Sequence, residues 1–442
     1  MSEQQQSQAQ PQLNDYVMAL MEKVSALSKS DDPYDKVQLE YYQLSQARTA
    51  RVRQAISEGT PTASVGGNCV PELCLALDME VFQALEFPLY DAMMNGGLDG
   101  LHKMIDASAE MFGNNMCTFI RLAGVAMEKN LCPKGTVLIG MSSICEAGSA
   151  LAQLVTVNPY FKGVPNVSIE SPGRRDNVPD DEALEYLGEQ LKNDVVPFLE
   201  KYSGKKLDMD KLKHICKESN EQLHLWWEYN ELRRNIPCPS DWEVANFVNA
   251  VARYWGLGHP ECKAWLQRLV NVLEQRVKEH KGITGINEKI RVFWFDFPPI
   301  VWGNKVWPWL GKEFGAVMVM DLYSDNPPHT YINTSDEKQM WKDLARRSSY
   351  DFGMPRIALG TGSMYAKDTV RVIKDFSCNA VIWPGHMGHK DAGALVNIVQ
   401  EQCRNLKVPF LNLGCDLADD RYTSPDAIKD KIANFFQVSG LV

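Results

Sequence analysis

The sequence has little of what would place it on a nucleic acid or in a membrane. Its 46 Lys and Arg are outnumbered by 56 Asp and Glu, for a formal net charge of -10. A phosphate backbone needs clustered positive charge, so nucleic-acid binding is not expected. No stretch approaches the roughly 18 apolar residues that a spanning helix requires. The longer apolar runs, such as AVMVMDLY from Ala316, have strand length. The amino terminus, MSEQQQSQAQPQLND, is Gln-rich and lacks the charged-then-apolar order of a secretory signal. The expectation is a soluble, cytoplasmic chain with a short disordered tail. Eleven cysteines in such a chain belong to a reducing compartment, and the odd count argues against a disulfide framework.

Familiar catalytic signatures are missing as well. There is no GxxxxGK(S/T) loop, so this chain is not expected to bind or hydrolyse nucleotide itself. The GxG in GTGSMYAK at Gly360 has no third glycine in position and reads as a turn. No GxSxG elbow and no HExxH helix occur. Cys69 and Cys74 have neither zinc-finger nor redox-motif spacing.

What the sequence does contain is an alternation of periods. Helical periodicity dominates from about Gln12 to Glu58 and again from about Pro179 to Lys281. Between and after these stretches, short apolar runs flanked by Gly, Pro or Asn alternate with helical segments: TVLIGM, VPNVSIES, IRVFWFDF, AVMVMDLY, NAVIWP and PFLNLG. That pattern predicts an α/β protein with two doubly wound, flavodoxin- or Rossmann-like parallel-sheet domains and helical amino-terminal and central segments. The expected boundaries are a tail and helices over 1–60, a first α/β domain over 61–178, a helical segment over 179–285 and a second α/β domain over 286–442.

In such sheets, sites form from loops at the carboxyl ends of strands. TVLIGM runs into SSICEAG, placing Cys145 just past a strand and at a helix start. NAVIWP runs into GHMGHKDAG, placing His386 and His389 in an equivalent loop. VLIGMSSICEAGSALAQLV and VIWPGHMGHKDAGALVNIV look like weak copies of one strand–loop–helix unit. Cys117, in FGNNMCTFIRLAG, follows a Gly-Asn-Asn breaker at the entry to another helix. The amino end of a helix favours a thiolate and hence metal binding. These three residues are far apart in sequence, so spacing alone leaves a shared metal site and ordinary helix caps both open. The stretch VFWFDFPPIVWGNKVWPWL offers Trp302 and Trp307 as walls for a flat apolar ligand, or equally as a buried strand with an interface loop.

Taken together, GGNCVPELCLAL, FGNNMCTFIRLAG with VLIGMSSICEAG, NAVIWPGHMGHKD and PFLNLGCDLADDRYTSPDAIKDKIANFF resemble the 2-hydroxyacyl-CoA dehydratase and benzoyl-CoA reductase family over roughly residues 60 to 442. The length and the GHMGHK loop look most like the larger cluster-bearing subunit of its ATP-dependent benzoyl-CoA reductases. The resemblance implies a [4Fe–4S] cluster held by three residues from three loops, of which Cys117 and Cys145 match the first two. The third matching position, normally Cys in Gly-His-x-Gly-Cys-Lys, is His389 here. Imidazole in place of thiolate removes a negative charge and raises the potential, as in Rieske centres. Either His389 is the third ligand, or the cluster takes His386 or a residue of a partner. The resemblance also implies a second homologous cluster-bearing subunit, ATP-hydrolysing activator subunits, ferredoxin as electron source and an acyl-CoA substrate. Its expected activity is dearomatising oxidoreduction at CH–CH bonds. A 2-hydroxyacyl-CoA dehydratase subunit, or a relay or scaffold subunit that binds no substrate, are the alternatives. Glu72, in the Pro-Glu-Leu segment, is either a proton carrier or substrate contact, or a helix-start carboxylate. Arg121, one turn past Cys117, is either an outer donor to the cluster or a surface residue.

Overall fold

The computed structural model describes residues 14–66, 70–83, 86–141, 145–172, 180–299, 301–325, 331–351, 356 and 361–442. Among them eight short strands form two sheets. The first contains β1 (Thr62–Val65), β2 (Glu80–Phe82), β3 (Val137–Met141) and β4 (Asn166–Ile169), in the order β2-β1-β3-β4. The second contains β5 (Ile290–Trp294), β6 (Ala316–Asp321), β7 (Ala380–Trp383) and β8 (Phe410–Asn412), in the order β6-β5-β7-β8. Every pairing is parallel. The two sheets therefore share one topology, and the protein is α/β with two parallel-sheet domains.

Burial explains why the strands read as continuous apolar runs. Ile290, Val292 and Trp294 of β5 enter one core with Trp302, Trp307 and Phe436. Phe293, between them, enters the core on the opposite face with Val317, Val319 and Trp383. Successive side chains point to opposite faces, so a sheet covered on both sides needs apolar residues at every position. The six runs picked out in the sequence are all strands. β1 and β2 are not among these runs, because TASV and EVF mix polar with apolar residues and so do not stand out from neighbouring helical patterns.

The helical segments pack as a third core. Helix Pro33–Glu58 lies against helices Met209–Leu232, Trp242–Asn249 and Pro260–Lys278, burying Tyr34, Trp226, Trp265 and Leu269. The Trp265 indole donates to the Val37 carbonyl at 2.8 Å, which offsets the polar cost of burying that ring. None of the described helices is long and apolar enough to cross a membrane.

In each sheet the first strand pairs with both the second and the third, so the winding reverses between β1 and β3 and between β5 and β7. A crevice opens at the carboxyl ends of such strand pairs. The amino end of β5 is anchored by Arg291. Its buried guanidinium donates to Phe376 O at 2.7 Å, Arg233 O at 3.0 Å and Asn235 O at 3.1 Å, and pairs with Glu288. Arg291 thus closes the open carbonyl end of helix Met209–Leu232 onto the sheet. Arg291→Ala leaves Glu288 buried without its counter-charge and is expected to cost about 3–5 kcal/mol, read as a lowered denaturation midpoint.

Candidate metal centre

The four strands at the two reversals carry four candidate residues at their carboxyl ends. Helix Pro71–Ala76, after β1, has Glu72 in its first turn, and Cys145 caps helix Glu146–Val157 after β3. Asp296 follows β5, and His389 follows β7. The fifth residue, Cys117, caps helix Thr118–Glu128, which runs back toward the start of β3 and so has its amino end at the same edge of the sheet.

Cys117, Cys145 and His389 are each the residue immediately before a helix. This shared position follows from the fold, because loops leaving parallel strands deliver the chain into crossover helices by their amino ends. The Cys145 sulfur accepts the Gly148 N–H at 3.1 Å. Cys117 is buried, and it lies near enough to the His389 imidazole to help hold a proton on that ring.

The contact between the two halves is made by backbone. Gly388 has φ +81°, and a Cβ there would lie 2.2 Å from the Cys117 nitrogen. Only glycine permits this approach and this conformation. The loop is also tied to the chain after β8, since Met387 N donates to Cys415 O at 3.2 Å. On its other side Lys390 pairs with Glu146 at 2.8 Å, joining the residue after His389 to the residue after Cys145. Helices Thr118–Glu128 and Glu146–Val157 pack together. The Gly388 contact thus sets His389 beside Cys117, and the Lys390–Glu146 pair ties the same loop to the residue after Cys145.

The surroundings of His389 orient it. Its Nδ1 lies 3.2 and 3.3 Å from the two carboxylate oxygens of Asp296. Burial opposes a charged ring, but Asp296 and Cys117 outweigh it and hold the imidazole proton well above the usual range. Burial likewise opposes the Asp296 charge, yet the facing His389 and His386 keep that carboxyl below its ordinary value. His386 is different. Its Nε2 donates to Phe297 O at 3.0 Å, and its Nδ1 faces the Cys415 thiol at 3.8 Å. Burial pushes this second ring toward its neutral form. Both its nitrogens are engaged inside the protein, so it is a strut behind the loop.

Behind Cys117, Thr118 donates to Asp416 at 2.6 Å, and Asp416 also accepts the Ala418 and Asp419 N–H groups at 2.9 and 2.8 Å. The Asp-rich segment after β8 therefore anchors the helix that Cys117 begins. Arg121 is buried rather than on the surface, donating to Thr118 at 2.9 Å and Asn114 at 3.0 Å.

Two expectations change in the folded chain. Trp302 and Trp307 do not wall an open surface: both are buried, packed edgewise on Trp294 at centroid distances of 5.9 and 5.5 Å. The Trp302 indole donates to Asp416 O at 3.1 Å. Alternation along β5 already commits this face to the core. Glu72 is fully buried in an ion pair with Arg347, so its carboxylate is held as a counter-charge to a guanidinium that burial disfavours. Cys69 and Gly360 lie outside the described residues.

Sequence reasoning missed Asp296 and Gly388. An acid directly after an expected strand at a winding reversal was the available signal for Asp296. Another His–Asp group, His102 with Asp419 and Asp420, has His102 Nε2 at 2.7 Å from Asp420. Its acids are matched by Arg421 at 2.9 Å and Lys305 at 3.5 Å, which leaves little charge for a cation.

The donor set at the first corner fits an iron–sulfur cluster. It offers two cysteine sulfurs at the amino ends of helices of 11 and 12 residues, and an imidazole backed by a carboxylate. Helix amino ends favour the thiolate form that iron requires.

The family described as 2-hydroxyglutaryl-CoA dehydratase, D-component, matches residues 69–438. A benzoyl-CoA reductase subunit of Thauera aromatica is 24% identical over 397 residues, covering 85% of this chain and 87% of its own. The (R)-phenyllactyl-CoA dehydratase alpha subunit of Clostridium sporogenes is 20% identical over 347 residues, covering 75% and 79%.

Gly388→Ala is expected to force the His389 loop off the Cys117 peptide, at a cost of about 1–3 kcal/mol. Faster alkylation of Cys117 in the metal-free variant, followed by mass spectrometry, is the measurement that checks it.

Proposed function

The chain belongs to the 2-hydroxyglutaryl-CoA dehydratase D-component family, and from that membership we propose that it is an iron–sulfur subunit of an ATP-dependent benzoyl-CoA reductase. The reading is carried by one observation: Cys117 and His389, 272 positions apart by their numbers (389 − 117), are brought together where Gly388 packs on the Cys117 backbone, with Lys390 paired to Glu146 beside Cys145. Helix-capping alone would not require caps from both sheets to meet.

Cys117, Cys145 and His389 are the ligands in this reading. A [4Fe–4S] cluster, when bound, supplies single electrons at low potential. The chain's own residues then have three tasks. Cys117 and Cys145 present their sulfurs at the amino ends of helices. Asp296 holds the His389 ring. The buried shell formed by Trp302, Asp416 and the Gly388–Cys117 contact keeps solvent from one side of the corner, as a radical reaction demands.

The substrate chemistry is the addition of two electrons and two protons to the ring of benzoyl-CoA, giving a cyclic dienoyl-CoA. The first electron is the hard one because it breaks aromaticity; the thioester carbonyl accommodates it as a ketyl radical. A second cluster-bearing subunit, an ATP-hydrolysing activator and a ferredoxin complete the assembly. The absence of a phosphate-loop motif in this sequence agrees with nucleotide hydrolysis elsewhere. Glu72 serves as the counter-charge to Arg347, leaving proton delivery to other groups.

The similarity to a phenyllactyl-CoA dehydratase subunit favours one second reading, in which the same ketyl chemistry expels a hydroxyl from a 2-hydroxyacyl-CoA without net redox change. Product analysis separates the two. Anaerobically purified complex with activator and reductant is expected to turn benzoyl-CoA into a cyclic dienoyl-CoA; an enoyl-CoA formed only from a 2-hydroxyacyl-CoA assigns the chain to the dehydratases. Cys117→Ala and Cys145→Ala should each abolish the electron paramagnetic resonance of this subunit's cluster. Wild-type protein prepared without oxygen and found free of iron and sulfide would overturn both readings.

A further inference from the structure

One departure from a three-cysteine site has to be compensated. An imidazole ligand brings less negative charge than a thiolate, so a cluster held by His389 has a raised potential. That is the wrong direction for a donor to an aromatic ring.

The second sheet supplies an acid at this point. β5 and β7 are hydrogen-bonded neighbours, with Trp294 opposite Ile382, and they flank the winding reversal. Asp296 follows the first of these strands, and His389 lies in the loop after the second. The Asp296 carboxylate is fully buried and fixed by its own chain, because Oδ1 accepts the Phe297 N–H at 2.7 Å. Its two oxygens straddle His389 Nδ1 at 3.2 and 3.3 Å. With Nδ1–H committed to the carboxylate, the lone pair for a metal sits on Nε2. A carboxylate behind a ligating histidine fixes the tautomer and raises ligand basicity. Neighbouring His386, whose ring centroid is 5.2 Å away, has no such backing and directs its nitrogens to Phe297 and Cys415.

We infer that Asp296 is the positioning residue that makes His389 an iron ligand, by holding its Nδ1–H and returning to the site part of the negative charge that a thiolate would have carried. This rests on the cluster reading above. The pair Asp296–His389 then replaces one cysteine as a single anionic unit drawn from two adjacent strands.

The test uses the complete anaerobic complex and compares wild type, Asp296→Asn, Asp296→Ala and the same Asn change in a His389→Cys background. Iron content, redox titration and the nitrogen coupling in pulsed electron paramagnetic resonance are measured on each. Asp296→Asn keeps a side chain of the same shape, and is expected to retain the cluster, raise its midpoint potential and alter the histidine nitrogen coupling. Asp296→Ala is expected to lower iron affinity about 10–100-fold. In the His389→Cys background the Asn change should move the potential less, because no imidazole remains to be polarised. An unchanged potential and nitrogen coupling in Asp296→Asn, or an equal shift in both backgrounds, overturns the inference while the iron-loaded wild type leaves the cluster reading standing. Iron-free wild type removes the cluster reading itself, so the two failures are distinguishable.

Discussion

The two halves of the site meet where Gly388 rests on the peptide of Cys117, at a separation no side chain could occupy. Everything chemical at this corner depends on that contact. It sets the His389 ring beside the Cys117 sulfur and brings Lys390 within reach of Glu146, next to Cys145. Since the contact is backbone against backbone, it is rigid in a way that long side chains are not. The entropy lost in ordering it is offset by hydrogen bonds on both sides: Thr118 to Asp416 behind the cysteine, Met387 to Cys415 behind the glycine.

Repetition of one topology explains why caps from distant segments converge. In each sheet the first and third strands are neighbours, and the chain leaves them in opposite lateral directions. Sheets of this order form their sites at the carboxyl ends of these two strands. Glu72 and Cys145 come from that place in the first sheet, Asp296 and His389 from that place in the second. Equivalent positions have diverged in chemistry. In the first sheet a buried Glu72–Arg347 pair lies at one loop, and in the second a carboxylate–imidazole pair spans both loops. A buried ion pair is weak evidence of stabilisation, since its desolvation cost is large. Its geometric specificity is a better reason for its place here: Glu72 pairs with an arginine more than 250 positions away along the chain and so locks α/β layers built from distant segments.

The tryptophans illustrate how a plausible ligand-binding signal dissolves on folding. Four of them in one stretch suggest an aromatic wall. In a sheet buried on both faces the same composition is what the core requires, and Trp302 and Trp307 each pack edge-on against Trp294 there. The Trp302 N–H then finds its partner in the carbonyl of Asp416, the residue whose side chain accepts from Thr118.

Local pattern was enough to identify six strands, the helical segments and the parallel α/β class, because period and breaker residues are properties of contiguous sequence. It was also enough to mark Cys117 and Cys145 as helix starts and to put His386 and His389 in a loop after a strand. β1 and β2 escaped, since TASV and EVF mix polar with apolar residues and so form no apolar run. What sequence could not convey is which of two histidines faces Cys117, that Gly388 must be glycine, or that Asp296 stands behind His389. Each of these depends on the order of strands within a sheet. Hydrogen bonds between segments set that order, and such pairing leaves no trace in the periodicity of either segment. Tertiary structure alone turned His386 inward, toward Phe297 and Cys415, and His389 toward Asp296 and Cys117.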